Sequence, residues 1–212
     1  MNYIEKPDIF WIVTDEHRCD GIGAYGNQWI KTPHLDRLAE EGVLFERAYC
    51  QAPTCVASRA SFLSGWYPYK TGNLWFDRTS DSVSFFPEYL SQEGYKTVNL
   101  GKEHHNRSKT PFDETLLWEP DEQTGFRTEG GPRNLGERYK HLEKELGVLR
   151  QYTVPQKMQI VAGTNPLPAD KAEAAYIMSS AIEYLRNYDS QQPLLLRTSI
   201  LYPHTPVLPP KP

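Results

Sequence analysis

Cys55-Val56-Ala57-Ser58-Arg59 joins a thiol, two hydroxyl or small residues and a guanidinium within five positions, just ahead of the apolar Ala60, Phe62 and Leu63. That pattern places the cysteine at a helix N-terminus, where N–H groups lack intrahelical partners and the helix dipole is positive. Such a position favours a tetrahedral anion. Arg59, one turn on, adds a fixed charge whose fork matches oxyanion geometry. The pentapeptide alone leaves two readings open: a reactive group at an anion site, or a buried structural cysteine before an ordinary helix.

Other residues that could do chemistry stand at similar boundaries. Asp15 and Glu16 end the run Asp8–Thr14, which reads as a buried strand. Two carboxylates there could bind a cation at a sheet edge or be solvated loop charges. Lys102 and His104 follow Gly101 at the end of another strand-like run, Tyr95–Leu100. His204 follows a third, Leu194–Leu201. In an open α/β sheet the carboxyl ends of the strands form the binding edge, so these scattered residues can share one pocket.

The elements that must position them alternate. Thr32 with Pro33 and Gly42 brackets a helix, and Val43–Ala48 reads as a strand. Val56–Ser64 is a helix stopped by Gly65, and Phe86–Glu93 is a helix with Pro87 in its first turn. Asp170–Tyr188 reads as a helix with Ala174, Ile177, Met178, Ala181, Ile182 and Leu185 on its apolar face. Strands alternating with helices predict an α/β fold, a largely parallel central sheet with helices on both faces. From about 105 to 168 the periodicity dissolves into an irregular insertion, with one helix near Leu135–Leu149. A doubly wound domain is expected to continue past Pro212, so residues 1–212 read as the N-terminal portion of a catalytic domain.

Composition narrows the function classes. A 212-residue chain with 39% hydrophobic and 24% charged residues fits a globular domain with a sizeable core. A net charge of −4 and no basic stripe argue against a nucleic-acid partner. No run approaches membrane-span length and Met1–Pro7 carries no apolar signal region. The chain as written is expected in the cytoplasm, or in the periplasm if a leader has been removed. Cys19, Cys50 and Cys55 do not make a disulfide framework; a Cys50–Cys55 redox pair is the lesser reading.

The motifs taken in order carry a resemblance. Asp8–Glu16, Gly23-Ala24-Tyr25-Gly26-Asn27, Thr32-Pro33-His34-Leu35, Cys55–Arg59, Leu63-Ser64-Gly65 with Thr71-Gly72, Gly101-Lys102-Glu103-His104 and Pro203-His204-Thr205-Pro206 together resemble the N-terminal part of a type I sulfatase, in the alkaline phosphatase superfamily. The resemblance runs from about Pro7 to Pro212 and is weakest between about His105 and Pro168. It implies an alkaline phosphatase-like fold and hydrolysis of sulfuric esters. It implies that Cys55 becomes formylglycine through a formylglycine-generating enzyme. The hydrated aldehyde would attack sulfur with one hydroxyl, and the second would let the covalent ester collapse. Asp15, with Glu16 as a second ligand and the modified Cys55, would hold a divalent metal, Ca²⁺ or alternatively Mg²⁺. Arg59 and Lys102 would hold the sulfate, His104 would orient or deprotonate a diol hydroxyl, and His204 would protonate the leaving group.

Two departures accompany the match. Glu103 stands where the family commonly has Trp, which is expected to change pocket polarity. The family's remaining metal ligands and a second lysine come from a C-terminal half, so these 212 residues alone are expected to be inactive. Two other readings compete with the sulfatase: a phosphonate monoester hydrolase or phosphodiesterase of the same superfamily, and a non-catalytic sulfatase-like binding module. The substrate implied is a small-molecule or sugar sulfate ester, and a homo-oligomer is possible where an open sheet edge stays uncovered.

Overall fold

The computed structural model describes residues 6–116, 165–204 and 209–211. Among these residues, the strands in chain order are β1 (Ile9–Thr14), β2 (Lys96–Gly101), β3 (Glu114–Leu116), β4 (Asn165–Pro168), β5 (Leu194–Ile200) and β6 (Pro210–Lys211). The helices are α1 (Pro33–Glu41), α2 (Cys55–Ser64), a short α3 (Pro68–Thr71), α4 (Phe86–Gln92) and α5 (Glu173–Asn187). Four strands build the main sheet in the order β1-β5-β2-β3, while β4 and β6 pair separately. Every pairing in the main sheet is parallel, with Ile9 opposite Leu195, Thr14 opposite Ile200 and Gly101 opposite Ser199.

Strand β5 lies between β1 and β2 and is buried along most of its length. Leu194, Leu195 and Leu196 suit a parallel strand covered on both faces, while Arg197, Thr198 and Ser199 follow them as buried polar residues. On one face, Leu195 packs with Ile9 and Trp11 against Ala60 and Leu63 of α2 and the Phe85, Phe86 and Leu90 side chains around α4. On the other, Leu194, Leu196, Val98 and Leu100 pack against Ile177 and Ala181 of α5. Each large apolar side chain buried this way stabilises by roughly 1.5–3 kcal/mol. Helices therefore cover both faces, as the alternation of elements implied.

Helix ends follow their punctuation. Pro33 starts α1 and Pro87 lies in the first turn of α4, where a missing N–H costs nothing. Gly65 ends α2 in the left-handed region at φ 71, its N–H reaching the Ser61 carbonyl at 2.8 Å.

Three local expectations are corrected. Val43–Ala48 is irregular, with Val43, Phe45 and Tyr49 exposed. Its composition suits a strand, but no described strand pairs with it, and a strand exists only through its ladder. Thr32 does not cap α1 with its side chain; its hydroxyl accepts the Gly23 N–H at 2.8 Å and donates to Asp36 Oδ1 at 2.9 Å. The helix expected over Asp170–Tyr188 divides into a 3₁₀ turn at Ala169–Lys171 and α5. Its buried side is Tyr176, Ile177, Ala181, Tyr184 and Tyr188, whereas Ile182 and Leu185 are exposed. Tyr176, Tyr184 and Tyr188 pack against the same apolar cluster as Leu116 and Ile200. The helix expected near Leu135–Leu149 lies outside the described residues, as does most of the 105–168 insertion. Among the described residues, no helix is long and apolar enough to cross a membrane.

Candidate active site

Parallel strands deliver their C-terminal ends to one edge. There β1 releases Asp15 and Glu16, β2 releases Lys102 to His104, and β5 leads to His204. Helix α2 begins at Cys55 itself, with Thr54 as the preceding cap residue in extended backbone.

An inner cluster forms on this edge. Asp15 Oδ2 accepts hydrogen bonds from Lys102 Nζ at 2.5 Å and from Arg59 Nη2 at 3.3 Å. Arg59 Nη1 also donates to the Lys102 carbonyl at 2.8 Å and to Ser199 Oγ at 2.9 Å. Cys55 Sγ lies 3.4 Å from His104 Nδ1. Asp15, Arg59, Lys102 and His104 are all buried, while Cys55 is half-buried. An outer pair stands beside them: His204 Nε2 is 3.3 Å from Glu16 Oε1, and both side chains are partly exposed. The positive charge of His204 would bear on Asp15 as well. All seven residues singled out in the sequence therefore meet on this one edge.

Electrostatics follow from the burial. Desolvation would raise the Asp15 pKa, but the charges of Arg59 and Lys102 outweigh it and hold the carboxyl below its ordinary value. Burial lowers the Arg59 pKa, opposed by Asp15. Burial, then the Lys102 and Arg59 charges, push His104 down to about 3, so its imidazole is neutral near pH 7. A neutral ring nitrogen facing Cys55 can accept a proton from a group at that position.

The backbone is held in costly conformations here. Glu16 (φ 58), His104 (φ 49) and Asn106 (φ 52) occupy the left-handed region, at roughly 1–3 kcal/mol each. Gly101 has φ 86, and a Cβ there would fall 2.3 Å from the Ser199 carbonyl oxygen. The Lys102 N–H donates to that same oxygen at 3.1 Å. The close approach of β2 to β5 thus sets where Lys102 leaves the sheet.

Glu103 does not alter the polarity of the pocket. It is fully buried, bonded to His105 Nε2 at 2.8 Å, to Thr110 Oγ1 at 2.7 Å and to Thr115 Oγ1. Its carboxylate turns inward while Lys102 meets Asp15 and His104 meets Cys55. Ser199 was not singled out in the sequence: within an apolar strand, nothing marks it until strand register places it opposite Gly101. Phe76 was also missed; its ring centroid lies 6.3 Å from that of His104.

Among the described residues, no group of three or more His, Cys, Asp or Glu side chains is placed to hold a metal ion. Asp15 is engaged by Lys102 and Arg59, and Glu16 by His204. Ca²⁺ takes six to eight oxygens, so the described residues do not by themselves fit a complete cation site.

Comparison with known proteins adds to the geometry. A family model described as Sulfatase matches residues 7–212. An arylsulfatase from Clostridium perfringens is 30% identical over 232 residues, covering 97% of this chain and 45% of that protein. A phosphonate monoester hydrolase from Agrobacterium radiobacter has a similar structure, with TM-score 0.76 at 19% identity, covering 98% of this chain and 43% of that one. A protein solved with its substrate D-glucosamine-2-N,6-O-disulfate superposes with TM-score 0.66 at 22% identity, over 94% of this chain and 35% of that one. At such identities the two structures show a shared fold. The chain spans less than half the length of each of these three proteins.

Proposed function

The chain belongs to the sulfatase family, and from that premise we propose that this edge is part of a sulfuric ester hydrolase site in which Cys55 is matured to formylglycine. The observation that carries the reading is Cys55 at the first turn of α2, its Sγ 3.4 Å from a neutral His104 and beside the buried Arg59–Asp15–Lys102 cluster. Formylglycine at position 55 would supply a hydrated aldehyde, one hydroxyl to displace the alcohol from sulfur and a second to release sulfate.

The chain's own residues do the rest. Arg59 and Lys102 bind the sulfate oxygens, their positive charge only partly balanced by Asp15. Their burial strengthens that attraction, since little water screens it. His104 Nδ1 takes the proton from the attacking hydroxyl. His204, oriented by Glu16, returns a proton to the leaving alcohol oxygen. Asp15 holds Lys102 and Arg59 in register and, with Glu16, would provide the first carboxylates of a divalent-cation site, Ca²⁺ before Mg²⁺. The remaining ligands must come from outside the described residues. The substrate proposed is a small-molecule or sugar sulfate ester, and the maturation partner is a formylglycine-generating enzyme.

The test begins with mass spectrometry of the Cys55 peptide after co-expression with that enzyme. The expected change is a loss of about 18 Da, the exchange of SH₂ for O at an oxidation-sensitive thiol. Cys55→Ala should abolish turnover of a sulfate ester. Cys55→Ser should accumulate a covalent sulfate ester, because a single hydroxyl cannot collapse to an aldehyde. An unmodified Cys55 would sink the proposal, and faster turnover of phosphonate esters than of sulfate esters would move it to the neighbouring activity.

A further inference from the structure

Among the described residues, Arg197 is the largest fully buried side chain. It projects from the central strand β5 toward the α2 face. There its guanidinium carbon lies 5.1 Å from the Trp11 ring centroid and 5.8 Å from those of Phe62 and Phe112. Its polar contacts are neutral: Nη1 donates to Asn99 Oδ1 at 2.7 Å and Nη2 to Ser199 Oγ at 3.4 Å. Its Nε finds no partner. Among the described residues, no carboxylate lies within ion-pair distance of it. Buried charges are otherwise almost always paired, because an unpaired one costs several kcal/mol (about 3–5 when a partner is lost). Aromatic faces offset only part of that.

Ser199 joins this charge to the site. Its hydroxyl accepts from both Arg197 and Arg59, and its carbonyl accepts the Lys102 N–H. One residue thus sets the relative position of the two cations proposed to grip the substrate. It also spaces two like-charged guanidiniums, of which Arg59 has the Asp15 carboxylate as a partner and Arg197 has none within ion-pair distance among the described residues.

We infer that Ser199 and Arg197 are positioning residues for the oxyanion: Ser199 holds the Arg59 guanidinium in register with Lys102, and Arg197 is a buried positive charge whose counter-ion is the bound substrate anion. This rests on the reading of the edge as a sulfate-ester site. Arg197 touches no reacting atom; it acts through Ser199 and Arg59. Its cost in stability is offset by tighter anion binding, which makes stability and activity separable.

The test uses the formylglycine-matured protein, 4-nitrophenyl sulfate as substrate and inorganic sulfate as the binding probe. Ser199→Ala should lower kcat/KM and sulfate affinity about tenfold, the equivalent of one charge-assisted hydrogen bond. Ser199→Thr, which keeps the acceptor, should recover most of that loss. In ¹⁵N-arginine spectra, the Arg59 Nη signals should broaden or average in the Ala variant and stay distinct in the Thr variant. Arg197→Met fits the aromatic cage and removes an unpaired charge. Its melting midpoint should be unchanged or higher while kcat/KM still falls roughly tenfold. A merely structural arginine predicts the reverse, a lower midpoint with activity lost only in proportion. That result, or Arg59 signals and kinetics unchanged in Ser199→Ala, overturns the inference. If the parent protein shows no formylglycine and no turnover, the sulfate-ester reading fails by itself. The Arg59 signals and sulfate affinities of the variants still decide the roles of Ser199 and Arg197.

Discussion

Asp15→Asn is the most direct probe of the cluster. The change keeps shape and removes one charge. In the parent, the Asp15 carboxylate meets Lys102 Nζ at 2.5 Å and Arg59 Nη2 at 3.3 Å, with all three side chains no more than 6% exposed. Removing one partner of a buried ion pair costs about 3–5 kcal/mol, because the remaining charge is left desolvated and unbalanced. Two cations are left so here, which argues for the upper half of that range. At an m-value of about 2 kcal/mol/M, the urea midpoint should fall by roughly 2–2.5 M. The assay is urea unfolding in chelator-treated protein, so that no cation replaces the lost interaction. Low millimolar sulfate supplies a second readout. It should raise the midpoint of Asp15→Asn more than that of the parent, since an oxyanion can stand in for the missing carboxylate. A loss below about 1 kcal/mol, or an equal sulfate response in both proteins, would refute the picture of a buried cation pair balanced by Asp15.

Further outcomes follow from the same geometry. His104 titrates near 3 in the folded protein against about 6.5 unfolded. Between those values the unfolded chain binds the extra proton, so stability falls as pH drops below about 6.5, by up to about 1.4 kcal/mol per unit. The fully buried His105, also lowered by desolvation, adds to the slope, and His104→Gln should remove one proton's share of it in urea midpoints taken from pH 7 to pH 5. Gly101→Ala should cost roughly 3 kcal/mol or more, about 1–2 from positive φ and the rest from its 2.3 Å clash with Ser199 O. Gly26→Ala, at φ 94 with nothing within 4 Å of the added carbon, should show only the backbone part. Calorimetric titration of the 212-residue chain with Ca²⁺ should show no micromolar site, and a tight one would mean that donors beyond the described residues complete the shell.

The sequence disclosed those parts of the fold whose signals are local. The runs at Asp8–Thr14, Tyr95–Leu100 and Leu194–Leu201 became β1, β2 and β5 because their β-branched and aliphatic residues suit burial on a sheet. Proline and glycine marked α1, α2 and α4 to within two residues. Candidate site residues were legible because Asp15, Glu16, Lys102, His104 and His204 follow such runs, while Cys55 opens α2 and Arg59 lies one turn on. What escaped was relational. Val43–Ala48 has a strand's composition but no described partner strand. Ser199 and Arg197 look like faults in an apolar segment until register sets Ser199 opposite Gly101 and aligns Arg197 with Asn99. The inward turn of Glu103 was hidden because two non-glycine residues after it, His104 and Asn106, take positive φ, which no residue pattern announces.

Those positive-φ residues explain how the pocket keeps its charge. Among the described residues, Asp15 is the only carboxylate within ion-pair distance of Arg59 or Lys102. Two other acids adjoin the same loops, and either could have neutralised a cation. Glu103, next to Lys102, is turned into the interior against His105, Thr110 and Thr115. Glu16, next to Asp15, takes φ 58 and meets His204 on the outer side. The other acceptors of Arg59 are the Lys102 and Glu103 carbonyls and the Ser199 hydroxyl, which fix a guanidinium without cancelling its charge. Strain at Glu16 and His104 therefore steers acids away from the cations, and one unit of positive charge in the inner cluster is left for an incoming anion.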